Sequence, residues 1–134
     1  MLKLFREIIM VSIILVFITG CQSEKQSDVN YKFNPPSWII GTWIGPTQEF
    51  AFTDNNIIKN KTVDFNDKFK NNVITEHHRT DITGYVSYYE LNIIGDTHYI
   101  FSKVTEENSI NETIVNEKGE VIFYENNLVK QQLD

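Results

Sequence analysis

From Trp38 onward the sequence predicts an all-β domain: a small up-and-down antiparallel meander of eight or nine strands that closes into a barrel. Three observations carry this expectation. Short runs rich in Ile, Val, Phe, Tyr and Thr alternate with Asn, Asp and Gly punctuation. No long stretch shows a helical period. The connectors are too short for Greek-key crossings, so neighbouring runs pair in order, and closure protects the two edges such a meander would expose. A barrel of eight strands is wide enough to be filled by side chains or to hold one small ligand.

The runs predict strands at Trp38–Ile44, Glu49–Thr53, Ile57–Phe65, Val73–Ile82, Tyr85–Ile94, Thr97–Thr105, Ile110–Val115, Glu120–Glu125 and Leu128–Gln131. Gly95-Asp96 reads as a two-residue hairpin with glycine first. Asn126-Asn127 reads as a second hairpin, because asparagine tolerates positive φ. Between Asn66 and Asn72, Phe69 stands amid charges and could mark a helical turn. Upstream, Gln22 to Pro36 is polar and closes in Pro35-Pro36, the composition of an extended tether. At roughly 3 Å per residue it would hold the domain up to about 40 Å from its attachment.

The first 21 residues predict location. Lys3 and Arg6 give a positive start, Ile8 to Ile18 is an uncharged and almost wholly apolar run, and Ile18-Thr19-Gly20-Cys21 ends it with small residues before a cysteine. This is the layout of a secretory signal peptide. The apolar run of 11 residues would span roughly 16 Å as a helix, against about 30 Å of bilayer core, too short for a comfortable crossing. Ile18 to Cys21 resembles the bacterial lipobox. That resemblance implies lipid attachment at Cys21 and cleavage after Gly20. The expected organisation is therefore a lipoprotein signal peptide at 1–20, a lipidated tether at 21–36 and a β-barrel domain at 37–134. Several acyl chains hold a protein firmly to a membrane. Gln22 follows the cysteine, where an Asp would by analogy favour inner-membrane retention. The expected location is the cell envelope: the outer membrane of a Gram-negative cell, or the outer face of the plasma membrane of a Gram-positive one.

Cys21 is the only cysteine, so a lipidated chain has no disulfide and rests on its apolar core. The aromatic supply suits that, since both Trp, all six Tyr and seven of the nine Phe follow the signal. The precursor has 12 basic and 18 acidic residues; the signal removes Lys3, Arg6 and Glu7, leaving 10 and 17, a net of −7. Nucleic acid is excluded as a partner, because phosphate binding needs a basic surface. A cationic protein is compatible with this balance.

Trp38-Ile39-Ile40-Gly41-Thr42-Trp43 resembles the opening of a lipocalin-type barrel, whose first strand carries Gly-x-Trp, here Gly41-Thr42-Trp43. The glycine permits close approach at the barrel floor, and the tryptophan closes that floor with a large apolar surface. The family packs a basic residue of the last strand over the indole. Lys130 is the candidate here, where the family usually has arginine. The family's C-terminal helix is missing and the domain is short, so the cavity is expected to be small or absent. The resemblance implies a small hydrophobic ligand, with Tyr85, Tyr89, Tyr99 and Phe101 as its wall. The plainer reading of these aromatics is cross-strand packing.

Glu76-His77-His78-Arg79 is the densest polar cluster. Adjacent strand residues face opposite ways, so Glu76 and His78 share one face and His77 and Arg79 the other. No second cluster has metal-ligand spacing, and no metal or cofactor is expected. Neither a Gly-x-Ser-x-Gly elbow nor a cysteine nucleophile is present, so the chain is not expected to be an enzyme. Two functional classes remain. The first is a lipid-anchored binding module for a small apolar molecule. The second is a protein–protein module, either an inhibitor or immunity-type lipoprotein or an accessory subunit of an envelope complex.

Overall fold

The computed structural model describes residues 31–133. The expected signal peptide, Cys21 and the expected tether as far as Asn30 lie outside the described residues. One 3₁₀ turn, Ser37–Ile39, leads into nine strands and one helical turn: β1 (Gly41–Ile44), β2 (Glu49–Phe52), β3 (Ile57–Lys59), β4 (Val63–Asp64), α1 (Phe65–Lys68), β5 (Ile74–Thr80), β6 (Val86–Ile93), β7 (His98–Val104), β8 (Ser109–Val115) and β9 (Val121–Lys130). All pair antiparallel in one sheet of order β4-β3-β2-β1-β9-β8-β7-β6-β5. The meander is the predicted one. It curls into a half-barrel through the β1–β9 pairing, with β4 and β5 as the two ends of the sheet.

Several boundaries differ from the sequence reading. Trp38–Ile40 does not extend β1: the Pro35-Pro36 pair is followed by the 3₁₀ turn, closed by Ile39 N–H donating to Pro36 C=O at 3.0 Å. The single run Ile57–Phe65 folds into the β3–β4 hairpin, because Asn60 and Lys61 both take positive φ, 52° and 64°. Asparagine adopts that region readily, and its side chain here also accepts from Glu49 N–H at 2.8 Å. Conversely, Asn126-Asn127 makes no hairpin. Asn127 has φ 60°, but the chain continues through it as β9, and the β8–β9 register slips between Ile110 and Glu112 instead. Gly95 sits second rather than first in its turn, which Asp96 N–H closes onto Ile93 C=O at 3.0 Å. The helical turn expected near Phe69 is α1, capped by Asp64, whose carboxylate accepts from Asp67 N–H at 3.2 Å.

The core is aromatic. Phe33, Phe50, Phe52, Phe65, Phe69, Tyr89, Tyr99 and Phe101 are all buried, together with Trp43 and an aliphatic set that includes Leu91 and Leu128. The alternation of β6 places Tyr89, Leu91 and Ile93 inward, and β7 adds Tyr99 and Phe101. Helical turn α1 drops Phe65 and Phe69 against Tyr99, with ring centroids at 5.2 and 6.2 Å. Residues 31–36, assigned by composition to the tether, lie against the fold. Phe33 is 1% exposed and meets Phe65 at 6.2 Å, while Tyr31 and Asn34 bond to Glu76 of β5. This strap joins α1, which follows β4, to β5, and so bridges the two ends of the sheet.

Candidate functional site

The residues predicted for the barrel floor come together. Trp43 is fully buried, and its indole N–H donates to Ile39 C=O at 2.7 Å. Lys130 is its register partner across β1–β9, with Nζ 5.5 Å from the indole centre. Gly41 has φ 131°, and a Cβ there would stand 2.7 Å from Lys130 Cε. The glycine thus gives the lysine stem room to lie over the ring, in a backbone region that side-chain-bearing residues avoid.

The four wall candidates divide. Tyr89, Tyr99 and Phe101 are buried in one aromatic cluster: Phe101 lies 6.3 Å from Tyr89 and 6.4 Å from Tyr99, and also touches Phe50 at 5.0 Å and Phe52 at 5.1 Å. Tyr85 is 63% exposed and stands apart from them. These rings pack against one another in the interior. Among the described residues, surface hollows of about 370, 350 and 280 Å³ open between turns, and none of these is lined by any of the four.

Two buried acids were not singled out from the sequence. Glu112 of β8 and Glu125 of β9 are register partners that both turn inward, fully buried and 7% exposed respectively. Glu112 Oε1 lies 3.4 Å from Lys59 Nζ, which sits among the rings of Phe50, Tyr99 and Phe123 at 5.3, 5.7 and 5.8 Å. Glu125 Oε1 accepts from the N–H of Thr47, at 2.9 Å, and from its hydroxyl. Burial pushes the Glu112 carboxyl up to about 7, and the Glu125 charge adds to it, against the pull of Lys59. The sequence did carry a signal. Glu112 falls in phase with Ile110 and Ile114, where a half-buried strand keeps its apolar face.

The Glu76 cluster splits as strand geometry requires. Glu76 and His78 share one face of β5: the exposed His78 has its ring 5.2 Å from Tyr89, and the half-buried Glu76 accepts from the hydroxyls of Tyr31 and Tyr89 and from Asn34 N–H at 2.9 Å. Burial, with the carboxylate neighbour, holds both phenols well above the ordinary tyrosine value, so both remain donors. On the other face Arg79 stacks on Tyr88 at 3.8 Å and pairs with Glu90 at 2.7 Å. The cluster therefore fastens the strap inside and braces β5 on β6 outside. Among the described residues, no group of three or more His, Cys, Asp or Glu is placed to hold a metal ion.

The outer face of β8, β9 and β1 has its own character. These strands contain three charged residues, Glu112, Glu125 and Lys130, and all three turn inward. Outward they present Thr113, Tyr124, Val129 and Ile44, the last two paired across β1–β9. Ile44 is 44% exposed, Val129 52% and Tyr124 57%. At the bulge near the start of β9, Val121 and Ile122 are also exposed. Among the described residues, no helix is long and apolar enough to cross a membrane.

Compared with protein-family models, curated proteins and solved structures, the chain matches none.

Proposed function

We propose that this chain is a lipid-anchored, lipocalin-like module of the bacterial cell envelope, one that docks a protein rather than carrying a small apolar ligand. The observation that supports this most is the charge-free outer face of β8, β9 and β1. In a chain with 22% charged residues, three adjacent strands with uncharged and partly apolar outward positions match the centre of a protein interface. The mutual packing of Phe50, Phe52, Tyr89, Tyr99 and Phe101 in the interior supports the same reading. A partner of matching chemistry presents an uncharged, apolar surface of its own. This favours the accessory-subunit form of the reading over a charge-driven inhibitor, and the contact should survive high salt.

The test places a photo-cross-linking residue at Tyr124, at Val129 and, as a control, at His77 on the outer face of β5, in full chains exported in the native host. A discrete protein adduct from Tyr124 and Val129 but not from His77, retained when cells are washed in high salt, is the expected result. No adduct from either β9 position, or the same adduct from His77, would refute docking through this face. An adduct lost at high salt would point instead to a cationic partner.

A further inference from the structure

We propose that Glu112 and Glu125 form a proton-binding clasp inside the barrel: one proton shared by the two carboxyls ties β8 to β9 and to the β1–β2 turn, and its release loosens them. The geometry carries this. Each acid uses Oε1 on another partner, Lys59 for Glu112 and Thr47 for Glu125. Each leaves Oε2 buried without a hydrogen-bond partner. The two are opposed in register, where Cβ atoms stand about 5 Å apart, so their carboxyls are within reach of one another. A single proton turns one Oε2 into a donor and lets the other accept, which satisfies both atoms at once.

The charge balance supports the same conclusion. Two carboxylates face one ammonium in an aromatic interior, and an uncompensated buried charge is costly. Lys59 enters from β3, Glu125 from β9, and Tyr99 faces the pair from β7 as a neutral phenol. Lys103 on β7 is turned to the carbonyls of Val104 and Thr105, and Lys130 lies over Trp43, so neither supplies the missing positive charge. A metal ion fits poorly, because Lys59 already stands on the Glu112 side. The upward shift of Glu112 agrees with a proton held near neutrality. The folded chain then binds this proton more tightly than the unfolded one. Stability is full below the ordinary glutamate value of 4.5, falls as pH rises towards about 7, and levels above it.

The experiment follows glutamate side-chain carboxyl carbons by NMR in the full chain in detergent micelles from pH 4 to 9, with melting temperature measured alongside. One carboxyl of the pair should titrate near neutrality, and Tm should fall between pH 5 and pH 8. Glu112→Gln supplies a permanent donor in the proton's place, so it should abolish that titration and flatten the Tm profile; Glu125→Gln gives the same reading if Glu112→Gln does not fold. Titration of both wild-type carboxyls below pH 5 would overturn the proposal. So would a neutral titration that persists unchanged in the glutamine variant.

Discussion

Gly41→Ala should cost far more than the methyl group suggests, and more than half of the cost should be separable from its neighbour. Gly41 holds φ 131°, and an added Cβ would lie 2.7 Å from Lys130 Cε. Backbone held in a glycine-only region costs about 1–3 kcal/mol for another residue. Driving the lysine off the Trp43 ring forfeits about 0.5–1 kcal/mol more. The sum, about 1.5–4 kcal/mol, corresponds to a fall in Tm of roughly 6–30 °C for a domain of this size. Gly84→Ala separates the two contributions, since Gly84 has φ 75° but nothing within 4 Å of the added Cβ. Thermal melts of Gly41→Ala, Lys130→Ala and the double variant form the cycle. In the Lys130→Ala background the glycine change should retain the backbone cost and lose the contact cost, a coupling of about 0.5 kcal/mol or more. A Gly41→Ala melt within about 3 °C of wild type, or strict additivity with Lys130→Ala, would refute the account of the barrel floor.

Phe101→Ala, at a fully buried ring touching Phe50 and Phe52, should destabilise by about 3–5 kcal/mol in denaturant titration. Tyr85→Ala, at a 63% exposed site, should stay within about 0.5 kcal/mol of wild type. Glu76→Ala deprives the buried Tyr89 hydroxyl of its acceptor and releases the strap; a loss of about 1–3 kcal/mol is expected, with faster hydrogen exchange over residues 31–36. Tyr31→Phe, which leaves the Tyr89 bond intact, should reproduce the faster exchange with a smaller loss of stability.

The fold was legible wherever two-residue alternation was uninterrupted. β5 to β8 lie within a residue or two of the predicted runs, because clear turns bound each of them. Two of the misread boundaries involve Asn60 and Asn127. Both asparagines take positive φ, yet one turns the chain and the other only bulges it, a choice set by what each strand pairs with. The expected grouping of Gly41, Trp43 and Lys130 is a pairing across β1 and β9, where the three lie together. The division of the aromatics was not legible: Tyr85 and Tyr89 share a predicted strand, but β6 begins at Val86, which leaves Tyr85 exposed in the preceding turn and Tyr89 buried within the strand. Phe33 was hidden by its polar neighbours, since composition averages away a single anchoring ring. The charge-free outer face needed the strand order, because β1 joins the β8–β9 hairpin from the other end of the domain's sequence.

Native mass spectrometry of the full chain, exported in its native host and extracted in mild detergent, tests most directly whether the barrel is filled by its own side chains. The account predicts the mass of the processed polypeptide with its covalent lipid, unchanged in composition on denaturation. A stoichiometric apolar small molecule that is present in the native protein and released on unfolding would contradict it.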